Sequence, residues 1–198
     1  MAIPIEDLKA LAGLPEKDAW RHIVEKTVDI ASKELPQDGI FSQVCQRENE
    51  ISDYDLFLSS CGWEMWHSFG DCVPKTSDRL AEFWAGPCDG KAILILDALS
   101  LRELPMLVQG AKAHGFALHS MGAAGAEMPC DTDPFASALG FRSRSQLQNN
   151  QGKSDRFPGA CTIENDLNFA DAKDQVGQAL GVIFWHQWPD CVIHKNYS

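Results

Sequence analysis

Residues Lys91–Ser100, KAILILDALS, constrain the fold of this chain more than any other stretch. Ala92 to Leu96 are apolar without a break, and the run stops at Asp97. An unbroken apolar run of this length predicts a strand buried on both faces, as in a parallel sheet. Ser100 to His114 predicts a helix, with Gly115 placed to end it. A buried strand feeding a helix is the first half of a βαβ unit. In open α/β sheets functional groups gather at the carboxyl ends of strands, and Asp97 sits at that end. Taken alone, Asp97 reads first as the cap of the helix that follows.

Upstream, Ile5 to Ala12 predicts a short helix closed by Gly13, and Pro15 opens a longer one running to about Leu35. In it Trp20, Ile23, Val24, Thr27, Val28, Ala31 and Leu35 recur at helical spacing. Pro36 to Gly39 is a turn, and Ile40 to Cys45 fits either a short strand or more helix. Aromatic residues crowd Asp53 to Trp84. Trp63 and Trp66 would share a helix face, as a stacking platform or, on the preferred reading, as a core wedge. His67 beside them reads as a packed residue. Ser77 to Trp84 predicts a helix, and Gly86 to Gly90 a loop into the central strand. Phe116 to Ser120 predicts a second strand, Met121 to Ala126 a loop, and Ser143 to Phe157 an exposed loop or frayed helix. Asp171 to Leu180 predicts a helix, and Val182 to Trp185 another buried strand.

Charge and cysteines narrow the function classes. The formal net charge of -11 argues against a nucleic-acid backbone or an anionic membrane as the main partner. No apolar run approaches the length of a transmembrane helix. The first residues, MAIPIEDLKA, lack a basic region followed by an apolar core, so no signal peptide is expected. The seven cysteines are odd in number and irregular in spacing, with no CxxC. That predicts reduced thiols and a cytoplasmic location rather than a disulfide framework.

Two further stretches carry candidate chemistry. In Pro129-Cys-Asp-Thr132-Asp-Pro134, Thr132 is placed as a helix N-cap, with Gly140 at the far end. The same position sets a hydroxyl in the positive end of a helix dipole, which favours a phosphate or a nucleophilic alkoxide. In Pro189-Asp190-Cys-Val-Ile-His194, Asp190 follows a strand, and on a helical turn His194 would point the same way. An aspartate and a histidine suit zinc or another divalent ion; the alternative is a Pro-Asp turn and a solvated histidine.

Taken in order, Asp97-Ala98, the P-x-x-T-x-P segment at Thr132 and the P-D-x-x-x-H segment at Asp190 and His194 resemble the alkaline phosphatase superfamily. The likeness is to its phosphodiesterase/nucleotide pyrophosphatase branch and to PglZ-type domains, and it covers roughly the second half of the chain. It implies an α/β fold, a mostly parallel sheet with flanking helices, preceded here by a largely helical N-terminal segment. A single domain over 1–198 is expected, with 1–90 mainly helical and 91–198 carrying the motifs. By the resemblance Asp97 would ligate one metal, zinc or another divalent ion. Thr132 would bridge the metals as nucleophile, and Asp190 with His194 would hold the other. Members of the superfamily continue with an Asp-His pair and a further histidine. This sequence has no Asp-His dipeptide and ends four residues after His194, so an incomplete metal site is expected. His186 and His119 are the candidates to complete it. Three functions follow as expectations. One is a metal-dependent phosphoester hydrolase or its degenerate relative. The second is a non-catalytic module binding a protein partner, as in multi-component phage defence. The third is a small-molecule binder built on the tryptophans.

Overall fold

Pro4 and Pro15, which lack the N–H that a first turn leaves unpaired, precede the first two helices. These are α1 (Ile5–Ala12), closed by Gly13, and α2 (Glu16–Ala31). The structure is a computed structural model; it describes residues 3–36, 38–60, 63–87, 91–96, 99, 101–147, 152–164 and 182–186. The chain then forms α3 (Ile40–Ser60), α4 (Trp63–Cys72), α5 (Thr76–Ala85), β1 (Ala92–Leu96), α6 (Leu104–Ala113), α7 (Thr132–Ala138), β2 (Cys161–Glu164) and β3 (Val182–His186). Short 3-10 turns lie at Leu101–Glu103 and Arg144–Leu147. Among the described residues no helix is long and apolar enough to cross a membrane.

The expected α/β fold, with a mostly parallel sheet as its main layer, is overturned. The described chain is mostly helical, and its strands are three, each of four or five residues. The stretch that could read as strand or helix, Ile40 to Cys45, opens the longest helix. Phe116 to Ser120 forms no strand; it is exposed, with Phe116 at 56%. Its apolar residues have no strand beside them, and alternation without a ladder does not make a strand. β1 also differs from its expected central place. The strand order is β1-β3-β2, all parallel, so β3 is the middle strand. Only Ile93 of β1 is buried.

The chain divides into two compact units, residues 1–74 with 100–125, and residues 75–99 with 126–198. In the first, α2 packs on α3 and α4. Leu11, Ala19, Trp20, Ile23 and Val73 form one core cluster, and Ile3, Ile30 and Tyr54 a second. The aromatic segment is only partly core: Tyr54 and Trp84 are buried, whereas Trp66, Phe83 and His67, expected as packed, are exposed, and its contacts here are to α2 rather than to a sheet. Trp20 stacks edge-on against Phe69, and Trp66 lies beside both. Arg47 of α3 is 3% exposed and donates to the carbonyls of Ala31 and Arg102, fastening the 3-10 turn at Leu101–Glu103 to this unit. At the end of α6, Phe116 N–H reaches back to Ala111 O and Gly115 N–H to Lys112 O. Gly115, at φ 81°, supplies the left-handed residue this closure needs.

Asp7 ties α1 to its neighbours. Its carboxylate accepts from Tyr54 Oη at 2.7 Å and lies 3.4 Å from Lys26 Nζ and 3.6 Å from His22 Nε2. The Tyr54 hydrogen bond, aided by Lys26, holds the Asp7 carboxyl below its ordinary 3.8 against the opposing effect of burial. A carboxyl lowered on folding stabilises the fold above its unfolded value, and that contribution is lost as pH falls through the folded value. Asp7→Asn is expected to cost about 1–2 kcal/mol at neutral pH. In urea titrations the gap between variant and wild type should close below pH 3.8; a gap of the same size at pH 7 and pH 2.5 would refute the assignment.

In the second unit Trp84, Ile93, Ala136, Leu139, Phe141, Leu147 and Phe157 form the core. Leu147 and Phe157 lie in the stretch expected to be an exposed loop, and both are almost fully buried. Polar neighbours hid them: the 3-10 turn at Arg144–Leu147 turns a single leucine inward, which leaves no periodic pattern. Trp84 donates to Pro158 O, and Ser154 Oγ to Leu139 O. At the end of α7, Phe141 N–H bonds Ala136 O and Gly140 N–H bonds Ser137 O, with Gly140 at φ 89°. The expected helix at Asp171–Leu180 lies outside the described residues.

Candidate functional site

The carboxyl ends of β1 and β3 lie side by side. The strands pair in parallel from Ala92↔Val182 to Leu96↔His186, so both leave the sheet at the same edge. A cleft of about 490 Å³ opens within the second unit, lined by Ile95 and Leu96 of β1, by Leu99, Thr76, Ala126, Glu127 and Cys130, and by Asp131, Thr132 and Phe135 at the start of α7. Thr132 and the end of β1 thus share one cavity, whose volume falls in the range of small-molecule sites.

Thr132 is the first residue of α7, and the cap is Asp131, one residue earlier than expected. Asp131 is extended, and its Oδ1 accepts the Thr132 N–H at 2.6 Å. An aspartate is as good a cap as a threonine, and the local competition went to the carboxylate. Asp133, in the first turn, accepts from Arg144 N–H at 2.9 Å and so fixes the turn at Arg144–Leu147 against α7. Across the cleft, α5 begins at Thr76, and its cap residue Lys75 makes no side-chain cap bond. Glu127 accepts the Ser77 N–H at 3.3 Å instead. A cap supplied from fifty residues away leaves no local signature, so sequence reasoning missed Glu127, along with Cys130 and the apolar wall of Ile95, Leu99 and Phe135.

Asp97, Asp190 and His194 lie outside the described residues. Of the expected metal ligands, Thr132 alone is placed. His186 ends β3 opposite Leu96, and His119 stands in the exposed stretch of the first unit. Among the described residues no group of three or more His, Cys, Asp or Glu side chains is arranged to hold a metal ion.

The first unit holds a second cleft, of about 420 Å³, lined by Asp7, Lys26, Lys33, Glu50 and Tyr54 among others. Two of its carboxylates are taken up internally: Asp7 by Tyr54 and Lys26, Glu50 by Lys33 and Gln46. Comparison with protein-family models, curated proteins and solved structures finds no match to this chain.

Proposed function

We propose that the second unit is a degenerate relative of the alkaline phosphatase-like and PglZ-type phosphoester hydrolases, a cleft that holds a phosphoester and turns it over little or not at all. The observation that carries this reading is the register Leu96↔His186. It brings the exits of β1 and β3 to one sheet edge, and Ile95 and Leu96 at that edge line the cleft that contains Thr132. The partner proposed is a phosphoester, with Thr132 as a contact to it. The metal part of the resemblance finds no support among the described donors, so no reaction step is drawn through a metal.

The test is hydrolysis of p-nitrophenyl phosphate and bis(p-nitrophenyl) phosphate with and without zinc or manganese, beside a zinc content measurement. Turnover is expected to stay near background. Robust metal-dependent hydrolysis that Thr132→Ala abolishes would show a complete enzyme. Loss of all phosphoester binding would leave the non-catalytic interaction module. The cytoplasmic location is proposed on the thiols: Cys45, Cys72, Cys130 and Cys161 are free. Titration of the denatured, unreduced protein should find all seven cysteines reactive; a single free thiol would place the chain in an oxidising compartment.

A further inference from the structure

We infer that Ser145 is a phosphorylation site whose phosphate is held by Arg142 and Arg144. The chain at Arg142-Ser143-Arg144-Ser145 folds back on itself. Gln146 N–H donates to Ser143 O at 3.1 Å, Arg142 N–H donates to Gln146 Oε1 at 2.8 Å, and the two serine hydroxyls lie 2.7 Å apart. Ser145 and Arg142 are exposed, while Ser143 and Arg144 are half-buried. Leu147 is buried, and Asp133 holds Arg144 N–H, so the turn is fixed from below while the Ser145 hydroxyl stays open to solvent.

The arginines single this place out. The chain has seven of them. Arg21, Arg79, Arg102 and Arg156 meet carboxylates, and Arg47 meets two carbonyls. Among the described residues the guanidinium groups of Arg142 and Arg144 make no hydrogen bond or ion pair. No other serine of the sequence has an arginine among the three residues before it, and Ser145 has two. A phosphoserine brings close to two negative charges and three strong acceptor oxygens, which guanidinium groups bind by charge-assisted hydrogen bonds. Asp133 opposes the dianion, but its carboxylate is already engaged by Arg144 N–H at 2.9 Å. Lys153 and Asp155 follow Gly152, which packs on the Gln146 carbonyl, and their charges offset each other.

The partner this implies is a nucleoside triphosphate-dependent kinase whose acidic groove selects arginine before the acceptor serine. Ser145 Oγ would attack the γ-phosphorus. The Oγ–P bond forms, the bond from that phosphorus to the β,γ-bridging oxygen breaks, and the diphosphate leaves with the electron pair. The hydroxyl proton passes to the kinase's carboxylate base.

The test incubates the folded full chain with magnesium ATP and an arginine-directed serine kinase, and follows uptake by intact mass and peptide mapping. One phosphate is expected, on Ser145. Ser145→Ala should abolish uptake, Ser143→Ala should keep it, and Arg142→Gln should slow it about tenfold. Circular dichroism of each variant checks that it is folded, which exposed positions should permit. In the phosphorylated chain the ³¹P resonance should titrate below the ordinary second ionisation of about 6, because the guanidinium groups favour the dianion. No uptake by the folded chain, uptake that survives Ser145→Ala, an unchanged rate in Arg142→Gln, or a ³¹P titration at or above 6 would overturn the inference.

Discussion

Trp20→Ala is expected to destabilise the first unit by about 3–5 kcal/mol, the usual cost of removing a buried tryptophan. Trp20 is 2% exposed. Its ring lies 5.5 Å from Trp66 and 5.0 Å from Phe69, centroid to centroid. Its indole N–H donates to Met65 O at 3.2 Å and Ser68 Oγ at 3.1 Å. The side chain therefore joins α2 to α4 both by apolar contact and by hydrogen bonds to Met65 O and Ser68 Oγ. Domains are stable by about 5–15 kcal/mol, so the variant should sit close to its unfolding threshold. Trp20→Phe keeps most of the contact and should lose about 1–2 kcal/mol, mainly the N–H bond. Urea unfolding followed by circular dichroism measures both. A loss under 1 kcal/mol for alanine would mean that α2 and α4 do not pack as described.

In the second unit the corresponding weak point is Gly152. A Cβ added there would fall 2.3 Å from Gln146 O and 2.7 Å from the Phe141 ring. Neither neighbour can yield easily: Gln146 belongs to the 3-10 turn at Arg144–Leu147, and Phe141 is buried in the core. Gly152→Ala should cost about 3 kcal/mol or more, at the upper end for overpacking. Gly159→Ala is the control. Its φ of 78° strains an alanine, but the added atom would meet nothing within 4 Å, so a loss of about 1 kcal/mol is expected. Thermal unfolding of the two variants side by side separates collision from backbone strain; similar losses would refute the close approach at Gly152.

The elements that could be read from the amino-acid order are those with local punctuation. Pro15, Gly13, Gly115 and Gly140 mark helix ends, but α2 stops at Ala31 rather than near Leu35, and the stretch expected as one helix from Ser100 is a 3-10 turn followed by α6. α2 was legible because its buried residues recur at helical spacing. α3 was not, since Arg47 and Tyr54 are its buried residues while Ile40, Phe41 and Leu56 are exposed. Ile51, Phe57 and Leu58 add only partly buried contacts, so its apolar stripe is short and confined to its second half. β2 went unread because Cys161–Glu164 has neither length nor alternation, and it exists through its ladder with β3. The site was half legible. Thr132 could be placed at a helix start, but Glu127 and the apolar wall reach the cleft through tertiary packing alone.

The two-unit division has a consequence for how the chain is made. The backbone leaves the first unit at Pro74, returns at Ser100 and leaves again at Gly125. During synthesis the first unit cannot close until its returning segment has emerged, and by then β1 is already outside the ribosome. β1 pairs with β3, whose first residue is Val182, so AILIL waits as an unpaired apolar segment while most of the second unit is still being added. Five apolar residues with an open ladder edge are a template for another chain's strand. The hazard in production is thus intermolecular pairing of nascent chains at β1, and it should ease when translation is slowed or the temperature lowered. Separate expression of either unit as a continuous stretch is ruled out by the path of the backbone, because each is built from non-adjacent pieces.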